Sequence, residues 1–267
     1  GFADEISLDL AVQIATLKRL GVAGLDLRGV DGKNVLDLSK ERLLEVKSAC
    51  EVEGLHIACI GSPVNKVDFS DGNRRGEMAK LEKSIAAAKT VGVQKIRVFT
   101  PHLPEGQEES LWPETVAWMR EMADLAKAEG VILLHENDAK FIGAYPKYAR
   151  RLFEELGAPH FRAVYDFANG VPLGFRPLND WFPWLLPHLD SVHIKDATPD
   201  GKVMPAGEGA GDIRATLEYL MGEGWSGTLS LEPHLQAAGK MGGFSGPELF
   251  EVAVNALRKV VSEAGGE

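Results

Sequence analysis

The feature that most constrains this chain is a strict alternation of short apolar runs with longer amphipathic stretches. The runs Val22–Arg28, Leu55–Ser62, Lys95–Thr100, Val131–Asn137, Phe161–Phe167, Leu189–Lys195 and Gly227–Glu232 are rich in Val, Ile, Leu or Phe and end in polar or turn-forming residues. Short continuous apolar runs bounded in this way read as buried strands. Between them Leu8–Leu20, Lys40–Glu53, Arg74–Val91, Pro113–Glu129, Tyr145–Leu156 and Ile213–Gly224 carry a helical period, and Ser245–Ala264 closes the chain as a last helix. Ser39 and Asp212 stand as helix N-caps. Gly21, Gly54, Gly92, Gly130 and Gly157 stand where a helix ends and a left-handed residue is favoured. Trp181–His188 is a poorer helix, interrupted by Pro183 and Pro187.

Gly1–Ile6 reads as the stub of one more strand, making eight strand–helix units within 267 residues. That pattern predicts an α/β fold, a (β/α)8 TIM barrel with eight parallel strands inside a ring of helices. A doubly wound open sheet is the alternative. No linker or composition break divides the sequence, so residues 1–267 read as a single domain. The chain opens at Gly1-Phe2-Ala3 without a methionine, so its first strand is expected to be truncated.

Charge narrows the function classes. Twenty-nine Lys and Arg stand against 39 Asp and Glu, a formal net charge of −10. Nucleic-acid affinity rests on clustered cations, so a nucleic-acid partner is not expected. The longest apolar runs, such as Val131–Leu134, fall far short of the roughly 20 residues that span a bilayer, so neither is a membrane partner. Cys50 and Cys59 are too few for a disulfide scaffold, and a cytoplasmic location is the expectation.

In a (β/α)8 barrel, chemistry collects at the C-terminal ends of the strands. Those ends here read Leu133-Leu134-His135-Glu136-Asn137, Val164-Tyr165-Asp166-Phe167, Val192-His193-Ile194-Lys195-Asp196 and Ser230-Leu231-Glu232-Pro233-His234. Side chains alternate faces along a strand. Ser191, His193 and Lys195 therefore oppose Val192 and Ile194, while Ser230 and Glu232 oppose Leu229 and Leu231. The apolar set is needed beneath the helices, so the polar set faces the axis, Glu136 inward and His135 outward. Glu136, Asp166, His193 and Glu232, on four successive strands, would repel in a confined volume without a cation. Three oxygen donors and one nitrogen suit a single divalent ion, Mn²⁺ first, with Mg²⁺, Co²⁺ or Zn²⁺ as alternatives.

Other residues are weighed beside these. Lys195 shares the face of His193 and is expected to touch substrate. His234 and Glu5 are candidates for the same role. Asp26 and Arg97, both facing the axis by parity, read as a structural ion pair. Lys66 reads as a solvated loop lysine. Phe2, Phe99, Phe141, Trp112 and Phe244 are candidates for an apolar wall. Gly207-Glu208-Gly209-Ala210-Gly211-Asp212 is glycine-rich before a helix, but Glu208 and Asp212 oppose a phosphate there. An unphosphorylated sugar or polyol is therefore expected.

The chain resembles the xylose isomerase-like superfamily of TIM barrels, the sugar phosphate isomerase/epimerase group related to endonuclease IV. The resemblance rests on Phe2-Ala3-Asp4-Glu5-Ile6, Ile60-Gly61-Ser62-Pro63, His135-Glu136-Asn137, His193-Ile194-Lys195-Asp196, Gly207-Glu208-Gly209 and Glu232-Pro233-His234-Leu235, in that order. It implies that Glu136, Asp166, His193 and Glu232 bind one divalent ion. It also implies that Glu136 and Glu232 move a proton beside a ketose carbonyl through an enediolate. Asn169 and Glu208 are further substrate-binding candidates. Where 3-epimerases carry a histidine and an arginine, this chain has Asn169 and Pro199; Lys195-Asp196 instead looks like the inosose dehydratase branch. The expected activity is therefore a metal-dependent isomerase or epimerase of carbohydrate metabolism. A dehydratase of a keto-polyol is the alternative, followed by a non-catalytic sugar-binding barrel. Association into a homo-oligomer through Trp181–His188 is a further expectation.

Overall fold

The structure is a computed structural model and describes residues 1–239 and 242–266. Seven parallel strands pair in sequence order: β1 (Gly24–Leu27), β2 (His56–Val64), β3 (Lys95–Val98), β4 (Ile132–Glu136), β5 (Phe161–Asp166), β6 (Leu189–Ile194) and β7 (Thr228–Leu231). The gap between β7 and β1 is filled by Gly1 and Phe2. The Phe2 amide donates to the Leu231 carbonyl at 2.9 Å, and the Asp26 amide donates to the Gly1 carbonyl at 2.9 Å. The ring is thus a (β/α)8 barrel with one very short stave. Only those two residues are extended; Ala3–Glu5 turns into a 3₁₀ helix instead of continuing the strand expected over Gly1–Ile6. The turn buries Asp4 and Glu5, both facing Arg28 at the end of β1.

Helices α1 (Leu10–Arg19), α2 (Lys40–Val52), α3 (Asp71–Val91), α4 (Trp112–Glu129), α5 (Pro146–Leu156), α6 (Ile213–Gly222) and α7 (Gly246–Glu263) follow the predicted amphipathic stretches. Asp9, Ser39 and Ser70 cap α1, α2 and α3 by accepting first-turn amides. Two local expectations fail. Asp212 sits before α6 with φ 53° and makes no capping bond; its carboxylate is taken by Arg176. Gly157, after α5, has φ −58° and is not left-handed. A Cβ there would strike the Phe153 carbonyl and lie 2.6 Å from the His188 ring, so close packing is what requires glycine. Between β5 and β6 the chain makes only short turns, including a π-helical turn (Pro177–Trp181), a single turn (Phe182–Leu185) and a 3₁₀ turn (Leu186–His188), as its prolines dictate.

Parity along the strands divides the core in two. Leu133, Phe161, Val192, Ile194 and Leu231 face outward into the main core beneath the helices. His135 joins them, stacked on Phe161 and packed edge-on to Phe153; burial drives its pKa down to about 4, so the ring is neutral. Cys59, Leu134 and Val164 form a separate apolar plug inside the ring. Glu136 and Asp166 lie two residues beyond Leu134 and Val164 and share their faces. The barrel interior therefore passes from an apolar layer to an ionic one within a single strand repeat. Among the described residues, no helix is long and apolar enough to cross a membrane.

The glycine-rich loop before α6 is folded around a protein carboxylate. Asp196 Oδ2 accepts the Gly207 and Gly209 amides at 2.9 and 3.0 Å, and Oδ1 accepts the Gly211 amide at 2.9 Å. Asp196 is 1% exposed. A Cβ on Gly209 would collide with Asp196, so the loop needs glycine to close this tightly. Asp196→Ala would strand these amides and is expected to lower unfolding free energy by roughly 2–4 kcal/mol, measured by urea denaturation. A loss under about 0.5 kcal/mol, the scale of an ordinary surface substitution, would show that the loop is held by something else.

Candidate active site

Hydrogen bonds and register fix the four strand-end ligand candidates. Asp166 pairs with His193 across β5 and β6, and Ser230 pairs with His193 across β6 and β7, which puts Glu232 just above that level. Asn137 ties β4 to β5: its Oδ1 accepts the Asp166 amide at 2.7 Å and its Nδ2 donates to the Asp166 carbonyl at 3.0 Å. The result is a cluster of Glu136, Asp166, His193 and Glu232 whose ligand atoms all lie within 4.8 Å of one another. All four are at least 95% buried.

Three cationic side chains surround the cluster. Arg28 donates from Nη1 to Glu232 Oε1 at 2.7 Å and from Nε to Asp4 Oδ2 at 2.8 Å. Arg97 Nη1 donates to Glu136 Oε2 at 3.1 Å and lies 3.5 Å from Glu232 Oε1. Lys195 Nζ stands 2.7 Å from Asp166 Oδ2. Phe2 braces this layer, edge-on to His193 at 5.1 Å and beneath both guanidinium groups. The expected Asp26–Arg97 pair is not formed. Parity correctly turned both inward, but Asp26 lies one layer deeper, hydrogen-bonded to Ser230, while the longer arginine reaches up to Glu136. Arg28 and Arg97 are therefore site residues that the sequence reading left out; their signal was their position on inward-facing strand ends.

The charge balance fits a divalent cation. Asp4, Glu5, Glu136, Asp166 and Glu232 face Arg28, Arg97 and Lys195, leaving an excess of two negative charges before His193 is considered. Without a metal, protons must make up the deficit. Burial pushes Asp166 up to about 6 despite Lys195, and pushes Glu5 up to about 7 despite Arg28. Burial also disfavours the His193 imidazolium, yet Glu136 and Glu232 outweigh that and raise it to about 9. The burial cost of the Glu136 anion is likewise overcome by Arg97 and His193, which hold it at about 2. Asp166 Oδ2, His193 Nδ1 and Glu232 Oε2 are buried, the first held by Lys195 at 2.7 Å and the other two facing each other at 3.4 Å. Buried oxygen and nitrogen atoms converging on one point suit a hard or borderline ion.

The remaining candidates divide. Asn169 donates from Nδ2 to Glu136 Oε1 at 3.4 Å and from its amide to Asp166 Oδ1 at 3.0 Å. Lys195 and His234 line the pocket. His234 has φ 50°, a left-handed backbone uncommon outside glycine, stabilised by its amide donating to Glu5 Oε2 at 2.8 Å. Glu5 is fully buried beneath it and also accepts the Ser245 hydroxyl at 3.0 Å. Glu208 is exposed on its loop and does not line the pocket. Lys66 is not simply solvated: it pairs with Asp138 at 2.7 Å, lies over Phe99 and lines the pocket, a placement set by loops that only the fold brings together. Trp112 packs on Tyr148 and Arg151, and lines another cleft. The pocket above the cluster encloses about 600 Å³.

A divalent ion entering this cluster must displace the His193 proton, whose metal-free pKa is about 9, and below about 6 the Asp166 proton as well. Mn²⁺ affinity is expected to fall about tenfold per pH unit below 9, and more steeply below 6. Calorimetric titration across pH 5.5–8.5 measures this, and an affinity that does not change over that range would contradict it.

The profile of the xylose isomerase-like TIM barrel family matches residues 14–260. A curated relative, 2-epi-5-epi-valiolone 7-phosphate 2-epimerase from an Actinoplanes species, is 28% identical over 224 residues, covering 79% of this chain and 77% of the relative. Among solved structures, a D-tagatose 3-epimerase-like protein superposes with a TM-score of 0.76 at 15% identity, covering 96% of this chain and 95% of that one. The apo form of 3-keto-D-glucoside 4-epimerase from E. coli superposes with a TM-score of 0.73 at 19% identity, covering 96% and 95%. A barrel closed by Gly1 and Phe2, with its acidic and histidine cluster at the strand ends, thus meets a family match along nearly its whole length: the chain belongs to the xylose isomerase-like TIM barrel family.

Proposed function

We propose that this chain is a metal-dependent isomerase or epimerase that moves a proton at a carbon beside the carbonyl of a ketose or related polyhydroxy compound. The observation that carries this reading is the pair Glu136 and Glu232, two buried carboxylates from well-separated strands linked by one guanidinium, that of Arg97. They approach the pocket floor from different sides, so a substrate carbon between them can lose a proton to one and regain it from the other. The epimerase relatives support the same reading.

Glu136, Asp166, His193 and Glu232 would hold the ion, with Mn²⁺ the first choice. When bound, a divalent ion supplies the charge that polarises a carbonyl and acidifies its neighbouring C–H. The protein's own groups do the rest. Glu232 is ionised at neutral pH: burial opposes its charge, but Lys195 and His193 hold its pKa well below the usual carboxylate range. Its Oε2 lies 3.4 Å from His193 Nδ1 and would be the oxygen that accepts a proton, while Arg28 fixes Oε1. Glu136, positioned by Arg97 and Asn169, serves the opposite side. Lys195 stays protonated, because Asp166 more than offsets its burial, and can donate to a substrate oxygen as negative charge develops there.

The same ammonium favours a second reading. Donated to a β-hydroxyl, its proton would complete an elimination and make the chain a dehydratase. The two differ in product: elimination creates a conjugated carbonyl absorbing in the ultraviolet, whereas epimerisation conserves mass.

Solvent-deuterium exchange into a panel of ketoses and inososes, with Mn²⁺ supplied, tests the proposal. Glu136→Gln and Glu232→Gln are each expected to reduce exchange by at least about 10²-fold. Exchange that survives both substitutions would sink the acid/base assignment.

A further inference from the structure

Glu5 and His234 take no part in the proton transfer proposed above, yet the structure ties one firmly to the other beside the pocket. Glu5 Oε2 accepts the His234 amide at 2.8 Å and the Ser245 hydroxyl at 3.0 Å. Ser245 completes the knot: its amide donates to the Glu5 carbonyl at 2.9 Å, and its hydroxyl accepts the Leu235 amide at 3.1 Å. These bonds hold His234 at φ 50°, a left-handed backbone that persists outside glycine only where its surroundings enforce it.

The ring is fixed as well as the backbone. Gly243 packs against it so closely that a Cβ there would collide with the imidazole. Nδ1 lies 3.0 Å from the Glu232 carbonyl oxygen and 3.4 Å from Glu5 Oε1. A carbonyl can only accept, so Nδ1 is the nitrogen that carries the ring proton. The side chain is 11% exposed and lines the pocket. Its Nε2 has no hydrogen-bond partner among the described residues and stands 4.0 Å from Glu232 Oε1. A lone pair is thus held beside the Glu232 carboxylate, near enough for both to meet neighbouring substituents of one carbon chain.

Resting on the isomerase reading above, we propose that His234 is a specificity-determining residue whose unprotonated Nε2 accepts the substrate hydroxyl on the carbon next to the one Glu232 deprotonates, and that Glu5 is the positioning residue that aims it. For a ketose exchanging at C3, that group is the C4 hydroxyl. The contact fixes which carbon faces Glu232, and a site built to pair with a hydroxyl rejects an analogue that lacks it.

Two measurements test this, the first independent of turnover. Proton–nitrogen correlation spectra of the protein supplied with Mg²⁺ read which imidazole nitrogen is protonated, the His234 signals being those lost in His234→Phe. The proton is expected on Nδ1 alone, and D-sorbitol, which has no carbonyl to react, is expected to shift the Nε2 signal. Glu5→Ala, which frees the backbone, and Gly243→Ala, which pushes the ring aside, are each expected to mix in the form protonated on Nε2. In the second, kcat/KM for deuterium exchange is compared among D-fructose, its C4 epimer D-tagatose and the 4-deoxy ketose common to both. The better of the two hydroxylated ketoses is expected to lead the 4-deoxy compound by at least about tenfold, chiefly through KM. His234→Phe is expected to abolish that lead, and His234→Gln, whose side-chain oxygen can accept in place of Nε2, to recover most of it. A proton on Nε2, no response to D-sorbitol, or a 4-deoxy ketose exchanged as well as its hydroxylated parents would each overturn the proposal. A proton on Nδ1 and a shift with D-sorbitol, but no exchange into any ketose, would uphold the role of His234 and instead overturn the isomerase reading.

Discussion

Everything at the mouth of this barrel depends on gathering carboxylates in a volume too small and too dry to tolerate them alone. Glu5, Asp166 and Glu232 are almost wholly out of water, and each bare charge would cost several kcal/mol to bury. Arg28, Arg97 and Lys195 offset most of that cost from within the ring, and the residue is met by protons or by a divalent ion. The local backbone is shaped to this end. The first stave stops after Phe2 so that Asp4 and Glu5 can turn toward Arg28, and His234 adopts a strained left-handed backbone to give its amide to Glu5. The ionic layer thus acts as a structural keystone as well as the candidate reactive centre.

A second carboxylate is solved in the opposite way. Asp196 neighbours Lys195 in sequence, yet it receives backbone amides and no cation. Its charge organises the glycine-rich loop before α6, leaving Lys195 to face Asp166. Adjacent residues on one strand end therefore divide between building a loop and building the pocket, because alternation along a strand sends them to opposite faces.

Much of the fold was legible because periodicity reports burial directly. The seven strands and seven helices fall where the apolar runs and amphipathic stretches lie, with ends shifted by a few residues, as at α3, which starts at Asp71 with Ser70 as its cap. Parity along each strand correctly separated His135, neutral and packed beneath the helices, from Glu136, aimed at the axis. Legibility was lost wherever a decision depended on height along the barrel axis or on loop geometry. Asp26 and Arg97 share an inward face but not a layer. Asp212 has the composition of a cap but the wrong backbone angle. Gly157 was required by the His188 ring from a distant turn, not by its own φ.

By itself the sequence determined the barrel, the inward-facing strand ends and the set Glu136, Asp166, His193 and Glu232, because two-residue alternation and strand–helix repetition are properties of the chain read in order. Tertiary structure alone decided that Arg28 and Arg97 pair with that set, that Asp196 occupies the glycine-rich loop, and that Lys66 and Asp138, from the loops after β2 and β4, meet over Phe99. Those are relations between segments far apart in sequence, set by strand stagger, side-chain reach and loop closure. No local pattern encodes them.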